Sequence, residues 1–380
     1  MNKSTVALIR CNNYDEELVY NKVKKGIELI GGLSAVIGKD EKVLVKPNLL
    51  VGAEPSKAIT THPSVLGAVF RCLKDEGYAD VSYGDSNGKP VSSIAKEMAV
   101  SMLDVPAAQY GVPLADFQSS VKVENPSGSV AKKFVLAKAV CDADAIISVC
   151  KMKTHALERI TGAVKNQYGC IYAGNKAVGH AHYPNADVFA KQLVDLNMYI
   201  KPRLFIMDGI LAMEGNGPAS GTPVMMNTIL VSTDPVALDT VFASLVNLDP
   251  MSVPTNFYGE KMGLGNAKPE NITVLSEDGE IPLANVLESF GKADFDVNRE
   301  KKKLRLMNML FKRSAKPKHK PVVDLNKCIG CGICEKACPV TGKAVHSGGG
   351  KKAEYDYSKC IRCYCCQEMC PEKAISRAEE

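Results

Sequence analysis

The chain has 380 residues, 46% hydrophobic and 23% charged, the make-up of an ordinary globular protein and too long for a single small domain. No apolar run reaches the roughly 18 residues that a membrane-spanning helix needs. The net charge of +5 is unevenly spread, because residues 299–320 hold ten Lys/Arg against one Glu.

In chain order, residues 1–298 alternate short apolar runs with helical patterns, which predicts an α/β domain with a largely parallel sheet. The opening MNKSTVALIRCNNYDEE lacks a signal peptide's apolar core and reads as a first strand. Strands are expected at Thr5–Ile9, Val43–Lys46, Val81–Gly84, Ala145–Val149, Leu204–Met207, Thr228–Val231 and Ile272–Leu275. Helices are expected at Asp15–Ile30, Pro63–Glu76, Ser92–Leu103, Ala186–Ile200 and Asp234–Val246. Pro63 and Asp234-Pro235 are good helix starts, since Pro suits the first turn and Asp caps free N–H groups.

Unusual polar residues collect just after the expected strands: Lys46-Pro47-Asn48, Asp85-Ser86, Lys151-x-Lys153-x-His155 and Asp208. Open α/β sheets bind ligands beyond the carboxyl ends of their strands, so these clusters point to one crevice. Each alone has a plain structural reading, as a strand exit, a turn or, for Thr61-His62-Pro63, a helix cap. If the chain stays extended, Lys151, Lys153 and His155 face one side, and three such groups need an anion to offset repulsion. Lys165-Asn166 would complete the same anion site, with Tyr168 beside it as a proton donor or a packing ring. His180 and His182 have a spacing that permits a metal pair, but no carboxylate accompanies them. The glycine-rich run Met213–Gly221 fits no nucleotide pattern; it would let backbone approach a ligand, with Glu214 as acid/base or metal ligand, or form a surface loop.

The basic stretch 299–321 reads as a linker to a tail domain at 322–380. Leu304, Met307, Leu310 and Phe311 would line one face of a short basic helix. Packing of that stripe on its own protein is the expectation; contact with an anionic membrane surface or an acidic partner is the alternative. With no aromatic interleaving beyond Phe311 and no recognition motif, a nucleic-acid partner is not expected.

The tail holds two copies of one spacing, Cys328-x2-Cys331-x2-Cys334-x3-Cys338-Pro339 and Cys360-x2-Cys363-x2-Cys366-x3-Cys370-Pro371. Structural zinc would use four thiolates from two pairs, which leaves the third Cys and the Cys-Pro of each copy unexplained. The spacing is that of bacterial two-cluster ferredoxins, in which the fourth Cys of each copy ligates the other cluster. Two [4Fe–4S] clusters are therefore expected, one on Cys328, Cys331, Cys334 and Cys370, the other on Cys360, Cys363, Cys366 and Cys338. Cys365 satisfies neither spacing and reads as a bystander. Cys11, Cys72, Cys141, Cys150 and Cys170 are scattered and read as reduced core thiols, with Cys150 the one whose neighbour, Lys151, would lower its pKa. So many thiols without an export signal point to the cytoplasm. Exposed small clusters would be oxygen-sensitive and would suit an anaerobe.

Together KPNLL, TTHP, GDS, KMKTH followed by GAVKNQYG, and DGILAMEGNGPASGTP resemble the family called domain of unknown function 362 over roughly residues 5–290. That family is often fused to a C-terminal ferredoxin module. The resemblance supports the domain division and names no substrate. Three functions follow as expectations. In the first, an oxidoreductase takes electrons from a redox partner protein to a small anionic substrate held by Lys46, Asn48, Asp85, Lys151, Lys153, Lys165, Asn166 and Asp208, with His155 or Glu214 supplying protons. The second is a noncatalytic electron carrier with a docking or sensing domain, and the third a nonredox enzyme with structural clusters.

Overall fold

The computed structural model describes residues 3–87, 94–183, 185–299 and 319–379. All seven expected strands form: β1 (Ser4–Arg10), β2 (Val43–Pro47), β3 (Val81–Tyr83), β6 (Ala145–His155), β8 (Leu204–Glu214), β9 (Thr222–Ser232) and β10 (Ile272–Ser276). A hairpin of β4 (Ser120–Glu124) and β5 (Lys133–Ala137) and the short β7 (Arg159–Thr161) and β11 (Gly279–Ile281) complete the large body. Nine strands make one sheet in the order β11-β10-β1-β9-β8-β6-β2-β3, with β7 paired to β6. Six of them run in one direction, with β7, β9 and β11 opposed.

Burial follows from the sheet being covered on both faces. Along β1, Ala7 and Ile9 pack with the helices Glu16–Leu29 and Pro63–Asp75, whereas Val6 and Leu8 pack with Pro235–Leu245 on the other side. All eleven residues of the central β6 are buried. The helix starts behave as their chemistry dictates: Asp15 accepts from Leu18 N at 2.9 Å, and Asp234 accepts from Val236 N at 2.8 Å and Ala237 N at 3.0 Å. The expected Ser92–Leu103 helix is shorter: Ser92 and Ser93 lie outside the described residues, Ile94–Val100 is helical, and Met102 at positive φ turns the chain into a second helix, Asp104–Tyr110.

The cysteine-rich domain consists of β12 (His319–Val323) paired with β15 (Ile375–Glu379), β13 (Val345–Gly348) paired with β14 (Lys351–Tyr355), and two short helices, Ile333–Ala337 and Cys365–Glu368. Residues 319–321, expected as the end of the linker, belong to β12, because His319 to Pro321 pair in register with Glu379 to Arg377. The rest of the basic stretch, 300–318 with its Leu304–Phe311 stripe, lies outside the described residues. Among the described residues no helix is long and apolar enough to cross a membrane.

Candidate active site between the large body and the cysteine-rich domain

Strands β8, β6, β2 and β3 lie side by side and parallel, so the polar residues at their ends meet. Lys46 and Asp85 pair at 2.9 Å, and Lys151 and Asp208 at 2.6 Å, all four side chains buried. The register of β6 and β8 sets Lys151 directly opposite Asp208. Both carboxylates are fully engaged. Asp85 accepts from Leu49 N at 2.7 Å and Ser86 N at 2.8 Å; Asp208 accepts from Tyr14 OH at 2.8 Å and His62 N at 2.9 Å. Gly169 passes so close to the first pair that a Cβ there would stand 1.9 Å from Asp85 Oδ1. Lys46 and Asp208, expected to touch substrate, therefore sit beneath the site and hold its shape. The Thr61-His62-Pro63 cap is real as well: His62 Nδ1 accepts from Ser64 N at 3.2 Å.

Above these pairs lies a cavity of about 380 Å³. Asn48, Asp85, Lys151, Lys153, Lys165 and Asn166 line it as expected, together with Lys176, Tyr168 and His180. The chain stays extended through His155, which is why β6 delivers its lysines to one place. Lys153 Nζ donates to Ile59 O at 2.8 Å and Asn48 Oδ1 at 3.3 Å, with no carboxylate partner among the described residues; burial and then the charge of Lys165 push its pKa down to about 7. Lys176 donates to Ser86 O at 2.6 Å, Ile171 O at 2.7 Å and Ser86 Oγ at 2.9 Å, and burial brings it to about 7 too. Tyr168 OH donates to Lys176 O at 2.6 Å, and burial raises its phenol far above the ordinary range, so it braces the lysine loop. Burial holds the His180 ring neutral, near pKa 4, and its Nδ1 has no hydrogen-bond partner among the described residues. His182 is exposed and turns Nδ1 back to Val178 O at 2.9 Å, so the two histidines do not converge on a metal.

The cysteine-rich domain closes the cavity with Ile333, Lys336, Ala337, Cys365, Glu368 and Met369. Its attachment engages one of the two expected catalytic residues, His155. His155 Nδ1 accepts from Leu157 N at 3.1 Å and Glu158 N at 3.0 Å, which leaves the ring proton on Nε2, 2.8 Å from Glu368 Oε1. Burial, followed by the charge of Lys165, lowers His155 to about 4, so the neutral ring is a donor that latches the domains. Burial alone would raise Glu368, but the His155 hydrogen bond and Lys165 hold its carboxyl well below the usual range. The glycine-rich run supplies a second attachment. Gln367 Nε2 donates to Asn216 Oδ1 at 2.7 Å and Gly217 O at 3.1 Å, and Asn216 Nδ2 donates to Ile375 O at 3.1 Å. Glu214 lies outside the cavity: its carboxylate accepts from Asp296 N at 3.0 Å. No motif announced Lys176, Gln367 or Glu368, since Ser86, Asn216 and His155, their respective partners, are distant in sequence.

The cysteines form two quartets that cross between the motifs. Cys328, Cys331, Cys334 and Cys370 surround one small cavity, and Cys338, Cys360, Cys363 and Cys366 another. Ala353 N, Ala344 N and Ala374 N donate to Cys328, Cys338 and Cys370 Sγ at 3.3–3.4 Å, and Tyr355 OH donates to Cys366 Sγ at 3.2 Å. Such donors stabilise thiolates, and all-thiolate quartets around a cavity fit an iron–sulfur cube. Among the described residues no three His, Cys, Asp or Glu are placed to hold a single ion. Cys365 belongs to neither quartet and lines the interdomain cavity.

Comparison with known proteins follows the same division. The profile described as Domain of unknown function (DUF362) matches residues 43–244, more than half of the chain. The chain belongs to this family. The DUF362 protein also carries a 4Fe-4S dicluster domain at residues 320–371. A thylakoid-associated protein of Synechocystis sp. is 32% identical over 283 residues, covering 74% of this chain and 86% of the relative. Among solved structures, a Thermotoga maritima protein aligns with TM-score 0.34 and 14% identity over 60% of this chain and 57% of its own. Lactate racemase apoprotein from Thermoanaerobacterium thermosaccharolyticum aligns with TM-score 0.37 and 13% identity over 60% and 54%. The DUF362 chain thus spans little more than half the length of either solved structure.

Two outcomes are expected. Cys365→Ala should keep the iron content and visible spectrum of the purified protein, whereas Cys363→Ser should lower both. His155→Ala should loosen the domains, seen as faster proteolytic separation of the tail and a larger radius in solution scattering, with the spectrum unchanged; the lost hydrogen bond to a charged group is worth about 2 kcal/mol.

Proposed function

We propose that this DUF362 protein is an iron–sulfur oxidoreductase that reduces or oxidises a small anionic substrate held in the interdomain cavity. One observation carries the reading: Cys365, Glu368 and Met369, from the turn that bears Cys363 and Cys366, form a wall of the lysine-lined cavity. A [4Fe–4S] cluster in each quartet would supply single electrons, two in all. Lys153 and Lys165 bind and orient the anion, Lys151 and Asn48 shape the floor, and the capping domain excludes water. Lys153 Nζ, hydrogen-bonded among the described residues to an amide and a carbonyl oxygen, is the group placed to hold or release a proton in the cavity.

A redox partner protein would meet the other quartet, where Cys331 is exposed and Leu325 and Ile329 stand at the surface. A reducing cytoplasm fits fourteen cysteines without a disulfide. The relative's thylakoid association is compatible with peripheral contact through the basic residues 299–320.

The test is reoxidation of the anaerobically reduced protein by fractionated small molecules from its own host. One fraction should accelerate reoxidation, and Lys153→Met should slow that response about 100-fold, or about 3 kcal/mol of lost charged hydrogen bonding, with an intact spectrum. Rapid reoxidation by host redox proteins, with no response to any small molecule, would make the protein an electron carrier and end the enzyme reading. The pH dependence has a definite sign. Lys153 carries its charge below its pKa, so kcat/KM for an anion should fall as pH rises through about 7. A profile flat from about pH 6 to about pH 9 would remove Lys153 from the anion site.

A further inference from the structure

The two sides of the interdomain cavity differ in chemistry. The large body presents the ammonium groups of Lys153, Lys165 and Lys176, none of them in an ion pair among the described residues. The cap adds Lys336, Cys365 and the His155-bound Glu368, and between them an apolar surface of Ile333, Ala337 and Met369, each only half-buried in the folded chain. Leu49, Leu50 and Pro218 extend the apolar lining. At ~30 Å³ of liquid per water, a cavity of about 380 Å³ would otherwise hold on the order of a dozen waters, many facing side chains that offer no hydrogen bond.

We infer that the site takes an amphiphilic organic anion, with one carboxylate or phosphate on the Lys153–Lys165 side and an apolar body against Ile333, Ala337 and Met369. The inference deepens the proposed function and rests on its reading of the cavity as the substrate site. The alternatives each leave a mismatch. An inorganic anion would satisfy the lysines and leave the cap against water. A sugar phosphate would press hydroxyls onto apolar side chains and lose their hydration. A neutral hydrocarbon would leave Lys153, Lys165 and Lys176 facing Glu368 as the one lining carboxylate, among the described residues, that is not already paired with a lysine. The volume suits a body of about a dozen or more non-hydrogen atoms, at the small end of ligand sites.

The experiment is titration calorimetry of the intact, cluster-loaded protein with its clusters oxidised and no reductant. The probes are 2-naphthoate, 2-naphthyl phosphate, acetate, inorganic phosphate and 2-naphthalenemethanol. One or both naphthyl anions should bind at least about tenfold more tightly than acetate, phosphate or the alcohol. The stronger of the two separates a carboxylate from a phosphate ligand. Lys165→Gln, at a half-buried position with no ion pair to break, should weaken the naphthyl anions about tenfold and leave the alcohol unchanged. Lys153→Met should act likewise, with the cluster spectrum reporting that the variant has folded. The inference is overturned if acetate or phosphate matches the naphthyl anions, if the alcohol matches them, if neither lysine variant changes their affinity, or if no probe binds. No electrons move in this titration, so binding without reoxidation in the host-fraction assay would end the redox reading alone. A substrate found by reoxidation that is not an amphiphilic anion would end this inference alone.

Discussion

The crevice depends on two buried ion pairs, Lys46–Asp85 and Lys151–Asp208, that tie neighbouring parallel strands at their carboxyl ends. Taking such charges out of water is costly, and the cost is met only when geometry and extra hydrogen bonds are good. Here backbone amides of Leu49, Ser86 and His62 complete the carboxylates, and Tyr14 OH links Asp208 and Lys151 at 2.8 and 3.0 Å. Removing one partner would strand a buried charge, at roughly 3–5 kcal/mol. The pairs therefore define where loops leave the sheet. They leave Lys153, Lys165 and Lys176, in no ion pair among the described residues, as the lysines of the cavity wall.

Much of this was legible in the sequence. Continuous apolar runs revealed the buried strands, and the placing of polar residues after them revealed the crevice, because strand ends in parallel sheets share one side of the molecule. The repeated cysteine spacing located the 4Fe-4S domain. Local patterns could not tell which polar residues would be consumed by one another. Lys46 and Lys153 look alike in sequence, yet one is paired with Asp85 and the other is not, a difference set by register with strands β3 and β8. The expected strand Ala145–Val149 stopped short for a related reason: β6 continues to His155 through polar residues because β7 and β8 pair with it there.

His155 and the glycine-rich run show how a conspicuous motif can serve assembly. Both were expected to act on substrate. His155 latches Glu368, and Asn216 and Gly217 seat Gln367, so the residues that looked reactive position the domain that covers the cavity. Glycine is required at 217 because a Cβ there would stand 2.3 Å from Thr154 O. Glu214, at the start of the same run, accepts from Asp296 N and stands 3.9 Å from Lys292 Nζ, outside the cavity.

The contact between His155 and Glu368 joins residues 213 positions apart, and Glu368 stands two residues after a cysteine of one quartet. A ferredoxin-type domain is commonly regarded as an interchangeable part. In this chain it is not, since its short Cys365–Glu368 helix carries the complement of a surface on the large body. A transplanted homologue with the same cysteine spacing but other residues at 367 and 368 would assemble its own core and still fail to sit over the lysines. Those two positions, among the three residues that the second motif leaves open between Cys366 and Cys370, are the address by which this tail recognises its own body.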